Sequence, residues 1–511
     1  MARWTLWLLE ICVLALAAWQ VWDVAVTIAA RLDYGYDLEW MEGATLVTGM
    51  RARDGLPYYT LPQVDYVPFI YPPLYAWIMG ALAHVFPLGY TLGRSISTFG
   101  STLAAGAIVY GAWRAGARLP LAIGCAALFA GAYEEGGTFY DLVRTDGLVI
   151  GLLSWALVLS AGSTRLTAIA GGLCLAVAFM AKHNAAIFGL PIALVMWRQH
   201  GWRHALTFGL SAAVPAALFT IGMQVATGGL FLMWLLEVPA SHGMVAARIL
   251  PAAEVLSWWP FKVKTGGAVM EVIRAMPFVW LFGLVAVVAW VRTPKGVYWL
   301  AISATALVTV SLMRGHTGGF INVLIPMFWV QAIWPAVIGA GLAQRRAWGW
   351  HLACVAVGVS LWFGRDDLTK FIPTEKDRAT AAKLIEEIRT LPEPLAIPHA
   401  PYYAVLAGKE PSFSLICLWD IDHRGGPFRG GVRRMDKAIA DHHWAAIVLP
   451  DDTLGHGLKD HYRQQRRLRA GIVGTRTGWG VRLKQIWVPK EEPAAPGADA
   501  GAPPPVPPAA P

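Results

Sequence analysis

The chain has 511 residues, 56% of them hydrophobic and only 15% charged, with a mean hydropathy of +0.48. These values exclude an ordinary soluble protein and indicate a polytopic helical membrane protein. A net charge of +9 would suggest nucleic acid for a soluble domain; here it is read as loop Arg and Lys that set membrane orientation, with no nucleic-acid partner.

The first hydrophobic span covers about 5–27. It contains a cleavage-like Ala15-Leu16-Ala17, but the apolar stretch continues past it, so an uncleaved signal anchor is expected. Glu10 and Asp23 lie inside this span, the first expected to bond to a neighbouring helix. Further candidate spans are about 94–112, 119–133, 147–162, 166–181, 184–197, 205–225, 276–292, 297–313, 320–341 and 347–363. Segment 73–90 starts with Pro72-Pro73 and contains His84 and Pro87. Taken as an interfacial helix, it puts Arg114 and Arg118, Arg165, Arg198 with Arg203, Arg292 with Lys295, and Arg345 with Arg346 on the side of Arg3. The positive-inside rule makes that side cytoplasmic. The expectation is an all-α bundle of about eleven spans, with polar clusters 33–72, 134–146, 182–184, 226–274 and 314–322 on the outer face. The many Trp fit interfacial belts.

From Arg365 the composition changes. Segment 374–391 has helical spacing and alternating charge, and Leu395-Ala396-Ile397 and Ala445-Ala446-Ile447-Val448-Leu449 read as short buried strands. Residues 365–490 should form a small extracytoplasmic α/β domain, followed by a disordered Pro/Ala-rich tail, 491–511. Four of the five Cys lie in apolar spans and Cys417 stands alone, so no disulfide framework or zinc spacing exists.

The first outer loop carries Asp37, Glu39 and Glu42. Acids at the mouth of a hydrophobic bundle need partners or a function. Glu39 and Glu42 share a face if helical, and paired carboxylates raise each other's pKa or share a cation. Either would suit a base that takes a hydroxyl proton near neutral pH. Helix capping is the structural alternative, strongest for Asp37. In Arg144-Thr145-Asp146, Arg144 could grip a phosphate and Asp146 could orient it or help hold a cation; a structural ion pair accounts for both equally well. Lys182-His183-Asn184 caps a helical hairpin where a phosphate would welcome Lys182, or where Lys182 merely snorkels. His183 reads more readily as structural. His316, in a Gly-rich turn, adds positive charge, and Asn322 needs a partner inside its span. Tyr402, Tyr403 and Trp419 could stack on carbohydrate, though core packing is the simpler role.

In chain order, Trp40-Met41-Glu42-Gly43, Leu56-Pro57-Tyr58-Tyr59, Tyr71-Pro72-Pro73-Leu74, Gly93-Arg94-Ser95, Val143-Arg144-Thr145-Asp146, Ala181-Lys182-His183 and Gly318-Gly319-Phe320-Ile321-Asn322 resemble the motif series of the GT-C glycosyltransferases. The likeness is to the branch with the aminoarabinose-lipid A transferases and the rhizobial lipopolysaccharide galacturonosyltransferases, over about 5–345. Departures are Glu-x-x-Glu for Asp-Glu, Tyr71 where Lys often precedes Pro-Pro-Leu, and His183 for Gln. The resemblance implies inverting transfer of a sugar from a polyprenyl-phosphate donor to a cell-envelope acceptor at the outer leaflet of a bacterial inner membrane. It makes Glu42 or Glu39 the base, with Glu42 favoured, and assigns the donor phosphate to Arg144, Lys182 or Arg94. Relatives work with or without a divalent metal, Mg or Mn, and no other cofactor is implied. The rivals are a lipid or glycolipid transporter or flippase, and a non-catalytic envelope assembly protein.

Overall fold

The computed structural model describes residues 2–250, 267–291, 293–344, 346, 348–451, 454–471 and 473–490. The tail 491–511, stretch 251–266 of the fourth polar cluster, and Arg292 and Arg345 lie outside the described residues. The bundle begins with α1 (Ala2–Leu32), a helix of 31 residues. The first loop folds into α2 (Glu42–Arg53) and α3 (Leu74–Leu82). There follow α4 (Tyr90–Ala115), α5 (Leu119–Gly131), α6 (Thr145–Ser160), α7 (Arg165–Ala181), α8 (Gly189–His200) and α9 (Trp202–Ala226). Helices Ala268–Ala275, Pro277–Val285, Val287–Val291, Pro294–Gly315, Ile325–Ala343 and Gly349–Phe363 complete the bundle.

Helices thus form at the expected spans, but their lengths do not confirm the count. Among the described residues, 4 helices are long and apolar enough to cross a membrane alone, or 5 if Ala268–Ala275 and Pro277–Val285, bent by 96°, count as one span. Several others are shorter apolar helices of 10–17 residues, so about eleven independent spans is more than helix length supports. With 9 residues, α3 is far too short to cross, as expected of an interfacial piece.

Loops segregate to the two ends of the bundle. At one end Lys295 Nζ donates to the Arg114 carbonyl at 2.8 Å, and Arg118 pairs with Glu10 at 2.7 Å. The other end carries the first two outer-loop clusters, the 182–184 and 314–322 turns, and the C-terminal domain.

α4 and α6 set the frame of that second end. A Cβ on Gly147 would lie 2.4 Å from the Ser97 carbonyl oxygen, and one on Gly100 would lie 2.3 Å from that of Gly147. Gly151 makes the same approach to Gly100, so the two backbones touch through a Gly-x-x-x-Gly stripe. This contact carries Arg94 on α4 up against the segment that leads into α6.

The C-terminal domain is a four-stranded mixed sheet in the order β1-β2-β4-β3, with β1 (Leu395–Ala396), β2 (Ala446–Leu449), β3 (Tyr462–Arg467) and β4 (Gln485–Pro489). β1 and β2 are parallel and the remaining pairs antiparallel. Helix Glu375–Arg389 starts from a capping box between Thr374 and Asp377. The expected helix and two strands are present. β3 and β4 go beyond that expectation, β3 because Tyr-Arg-Gln-Gln-Arg-Arg is a charged, largely exposed edge strand with no buried face to announce it. The domain does not hang free: Trp40, Tyr59 and Phe69 of the first loop, Phe231 and Trp234 after α9, and Leu418, Phe428 and Trp444 form one hydrophobic core.

Gly147→Leu should force α4 and α6 apart and cost at least about 3 kcal/mol, read as a lowered Tm in detergent. Gly106→Leu, where a Cβ meets nothing within 4 Å, should leave Tm almost unchanged.

Candidate active site

Glu42 opens α2 with its carboxylate turned inward and completely buried. Oε1 accepts from Arg94 Nε at 3.0 Å and from the Val143 N–H at 2.9 Å. Oε2 accepts from Arg94 Nη2 at 2.8 Å and from the Leu38 N–H at 2.6 Å. Arg94 also donates to the carbonyls of Arg31, Tyr34 and Tyr36. Burial would push the Glu42 carboxyl up, but Arg94 and the Val143 and Leu38 N–H groups outweigh it and hold it below the usual carboxylate range.

This geometry does not fit two of the expectations. Arg94 is committed to Glu42 and three carbonyls and presents nothing to a donor phosphate. Both Glu42 oxygens are occupied away from solvent, so the favoured base is poorly placed to receive a proton. Asp37 is likewise structural. Its Oδ1 accepts from the Gly43 N–H and from Tyr90 Oη, both at 2.9 Å, while burial and the neighbouring Glu42 push its carboxyl well up.

Glu39 is different. Its Oε2 accepts from the Met41 N–H at 3.1 Å and from Arg144 Nη1 at 3.2 Å, whereas Oε1 takes no hydrogen bond among the described residues. Burial pushes its carboxyl up to about 7, against the opposing pull of Arg144 and the Met41 N–H.

From Glu39 the polar chain continues inward. Arg144, at the N-cap of α6, lies over the Phe139 ring at 5.4 Å, with Nε 3.9 Å from Asp146 Oδ2. Asp146 Oδ1 accepts from Lys182 Nζ at 2.8 Å and from Asn322 Nδ2 at 3.0 Å. Lys182 also stands 5.6 Å from the centre of the Tyr71 ring. Four polar clusters far apart in sequence therefore meet through Glu39, Arg144, Asp146, Lys182 and Asn322. Below the Lys182 turn, Leu175, Phe179, Leu190, Ala193, Phe208 and Ala212 line an apolar groove of about 360 Å³ between α7, α8 and α9.

The two histidines stand outside this chain of contacts. His183 opens a short turn with Nδ1 unpartnered, and His316 stacks on His242 at 4.7 Å with Nε2 3.3 Å from the Pro239 carbonyl. His423 lies 4.3 Å from His242. Among the described residues there is no group of three or more His, Cys, Asp or Glu that could hold a metal ion. Arg314 is a structural partner of Glu271, with two contacts of 3.0 Å.

The C-terminal domain adds groups that the sequence reading passed over. In hairpin 474–482, the Arg476 and Thr477 N–H groups donate to the Leu38 carbonyl at 2.8 and 3.1 Å. Its tip, Gly478, has a φ of +71°, and a Cβ there would lie 2.6 Å from Glu39 Cγ. Only glycine allows the hairpin to close over Glu39 this tightly. Asp420, beside Trp419, has its carboxyl pushed by burial up to about 7 despite the pull of Arg144. An acid in the apolar run Leu415-Ile416-Cys417-Leu418-Trp419 is as visible a signal as Asn322, but it lies outside the membrane spans, where a polar residue stands out most. Tyr402 and Tyr403 are buried core residues, whereas Trp419 joins an aromatic cluster.

The sequence matches no protein-family model and no curated protein. Its fold does match solved structures. ArnT from Cupriavidus metallidurans in the apo state aligns with a TM-score of 0.55 and 13% identity, over 92% of this chain and 98% of that one. ArnT bound to undecaprenyl phosphate aligns with a TM-score of 0.52, again at 13% identity and with the same coverage. The chain therefore shares the fold of ArnT, across the bundle and the C-terminal domain.

Glu42→Gln should leave Arg94 a buried charge without its counter-ion and destabilise the fold by about 3–5 kcal/mol, seen as a large loss of Tm or of folded yield. Glu39 should behave oppositely. Burial favours its protonated form, so its contribution to stability is full below the ordinary carboxyl pKa of 4.5 and is lost as pH rises through about 7. Glu39→Gln should accordingly show no loss of Tm at pH 8.

Proposed function

We propose that this chain is a membrane-embedded glycosyltransferase that moves a sugar from a polyprenyl-phosphate donor to a hydroxyl of a cell-envelope acceptor, with inversion, at the outer face of a bacterial inner membrane. The observation that carries this reading is the continuous chain Glu39–Arg144–Asp146–Lys182 at one end of a GT-C fold, above an apolar groove. The ArnT structure that holds undecaprenyl phosphate supports the choice of donor.

In this reading the groove between α7, α8 and α9 receives the polyprenyl chain. Lys182, in the turn that joins α7 to α8, neutralises the phosphate. Asp146 and Asn322 hold Lys182 in place, and Arg144 adds positive charge from the other side. Glu39 replaces Glu42 as the base. Its free Oε1 takes the acceptor proton as the acceptor oxygen attacks the anomeric carbon and the bond to the phosphate oxygen breaks. A carboxyl near 7 suits proton transfer at neutral pH, being ionised often enough to act and basic enough to hold a proton. The positive charge that a divalent cation would supply comes from Lys182 and Arg144, while Glu42 and Arg94 are assigned to architecture.

Glu39→Gln should lower transfer by about 10²–10⁴-fold in a radiolabelled-donor assay while the protein stays folded; near-full activity would remove the base assignment. Because the base must be ionised, the wild-type rate should rise with pH up to about 7 and then level off. Lys182→Ala should weaken binding of undecaprenyl phosphate, measured by thermal-shift titration, by about tenfold or more.

A further inference from the structure

Beside Glu39 the first loop and the C-terminal domain meet in a cluster of tryptophans. Trp40 lies 5.0 Å from Trp479 and 6.0 Å from Trp419, and Trp419 lies 5.4 Å from Trp479. Trp40 is buried and Trp419 half-buried, but Trp479 is 42% exposed, so the cluster is open to solvent on its side. Its place is built: Thr475 Oγ1 donates to the Trp479 carbonyl at 2.9 Å, and Gly478 seats the hairpin on Glu39.

A second observation points to a ligand. His399 is fully buried, 6.2 Å from Trp40 and 5.9 Å from Trp479, yet neither ring nitrogen has a hydrogen-bond partner. Burial holds it neutral, with its pKa pushed down to about 4, so the ring offers one donor and one acceptor. Leaving both unmet in a buried position is costly, and a ligand hydroxyl would satisfy them. On the other flank, the Asp420 carboxylate accepts no hydrogen bond among the described residues, its backbone carbonyl alone being used, by His242 Nε2 at 2.7 Å.

Aromatic faces carry negative potential and attract the C–H face of a sugar ring, while neutral imidazole and carboxylate groups bind its hydroxyls. We infer that Trp40, Trp419 and Trp479, with His399 and Asp420, form the acceptor subsite, and that the acceptor is an uncharged saccharide presenting a ring hydroxyl to Glu39. This rests on the transferase reading above and narrows it. A phosphate or uronate acceptor would face the Glu39 and Asp420 carboxyls, and Arg144, which bears on both, is already engaged by Glu39. The hairpin that carries Trp479 covers Glu39, so the acceptor enters as this hairpin lifts and the Trp479 ring settles on the sugar.

The test uses the full-length chain in nanodiscs. Saturation-transfer NMR would be recorded with a panel of neutral hexose trisaccharides and with the same sugars phosphorylated, and undecaprenyl phosphate binding would be followed separately. The expected result is binding of neutral sugars, weakened about tenfold or more by Trp479→Ala, with undecaprenyl phosphate bound equally by both proteins. The exposure of Trp479 makes this variant one that should fold. Absence of binding by every neutral trisaccharide, equal binding by Trp479→Ala, or preference for the phosphorylated sugars would overturn the subsite while leaving donor binding intact. Failure of the wild-type chain to bind undecaprenyl phosphate would instead overturn the transferase reading.

Discussion

The buried pair of Glu42 and Arg94 is the interaction on which the site end depends. Two opposite charges removed from water are tolerable only when each remaining donor and acceptor is met, and here the backbone meets them. Arg94 gathers the carbonyls of Arg31, Tyr34 and Tyr36, and Glu42 gathers the Leu38 and Val143 N–H groups. One ion pair thereby joins the end of α1, the first loop, α4 and the lead into α6. Arg31 and Asp141 form a second buried contact at 3.1 Å beside it. Glu39 and Arg144 each lie within three residues of a segment clamped by this pair, so its rigidity passes directly to the proposed reacting groups.

The acids of the first loop also show how neighbouring carboxylates acquire different work. Glu42 is surrounded by donors and stays charged. Asp37 has few and is pushed towards its neutral form. Glu39 sits between, with one oxygen pinned and one free. The same amino-acid chemistry yields brace, neutral acid and proposed base because hydrogen bonding and burial differ over six residues.

Much of this is legible in the sequence. Long apolar runs, Pro72-Pro73 and the composition change near Arg365 reveal the helical bundle, the short α3 and the sheet-bearing part that follows, since hydrophobic periodicity is a local property of the chain. The gathering of Asp146, Lys182 and Asn322 on one face is legible too, because polar groups at span edges need partners, whereas their mutual hydrogen bonds are not. The roles of Glu39 and Glu42 are not. Which acid faces Arg94 depends on where α4 stands against α2, a tertiary fact that three-residue spacing does not contain. Asp420, His399 and Gly478 escape for the same reason, each acquiring its meaning only when the C-terminal domain docks. Helix lengths depart from the hydropathy spans where polar or bent segments, such as Ala268–Ala275 with Pro277–Val285, interrupt an apolar run.

The hairpin over Glu39 ties together residues more than four hundred positions apart, and this sets an order on biosynthesis. A chain made from its N-terminus can place α1, the first loop and the helices that follow before hairpin 474–482 has been synthesised. Until then Glu39 stands open to water, and its carboxyl keeps an ordinary acidity. The burial behind the raised Glu39 carboxyl is thus completed only by a hairpin made hundreds of residues after Glu39 itself.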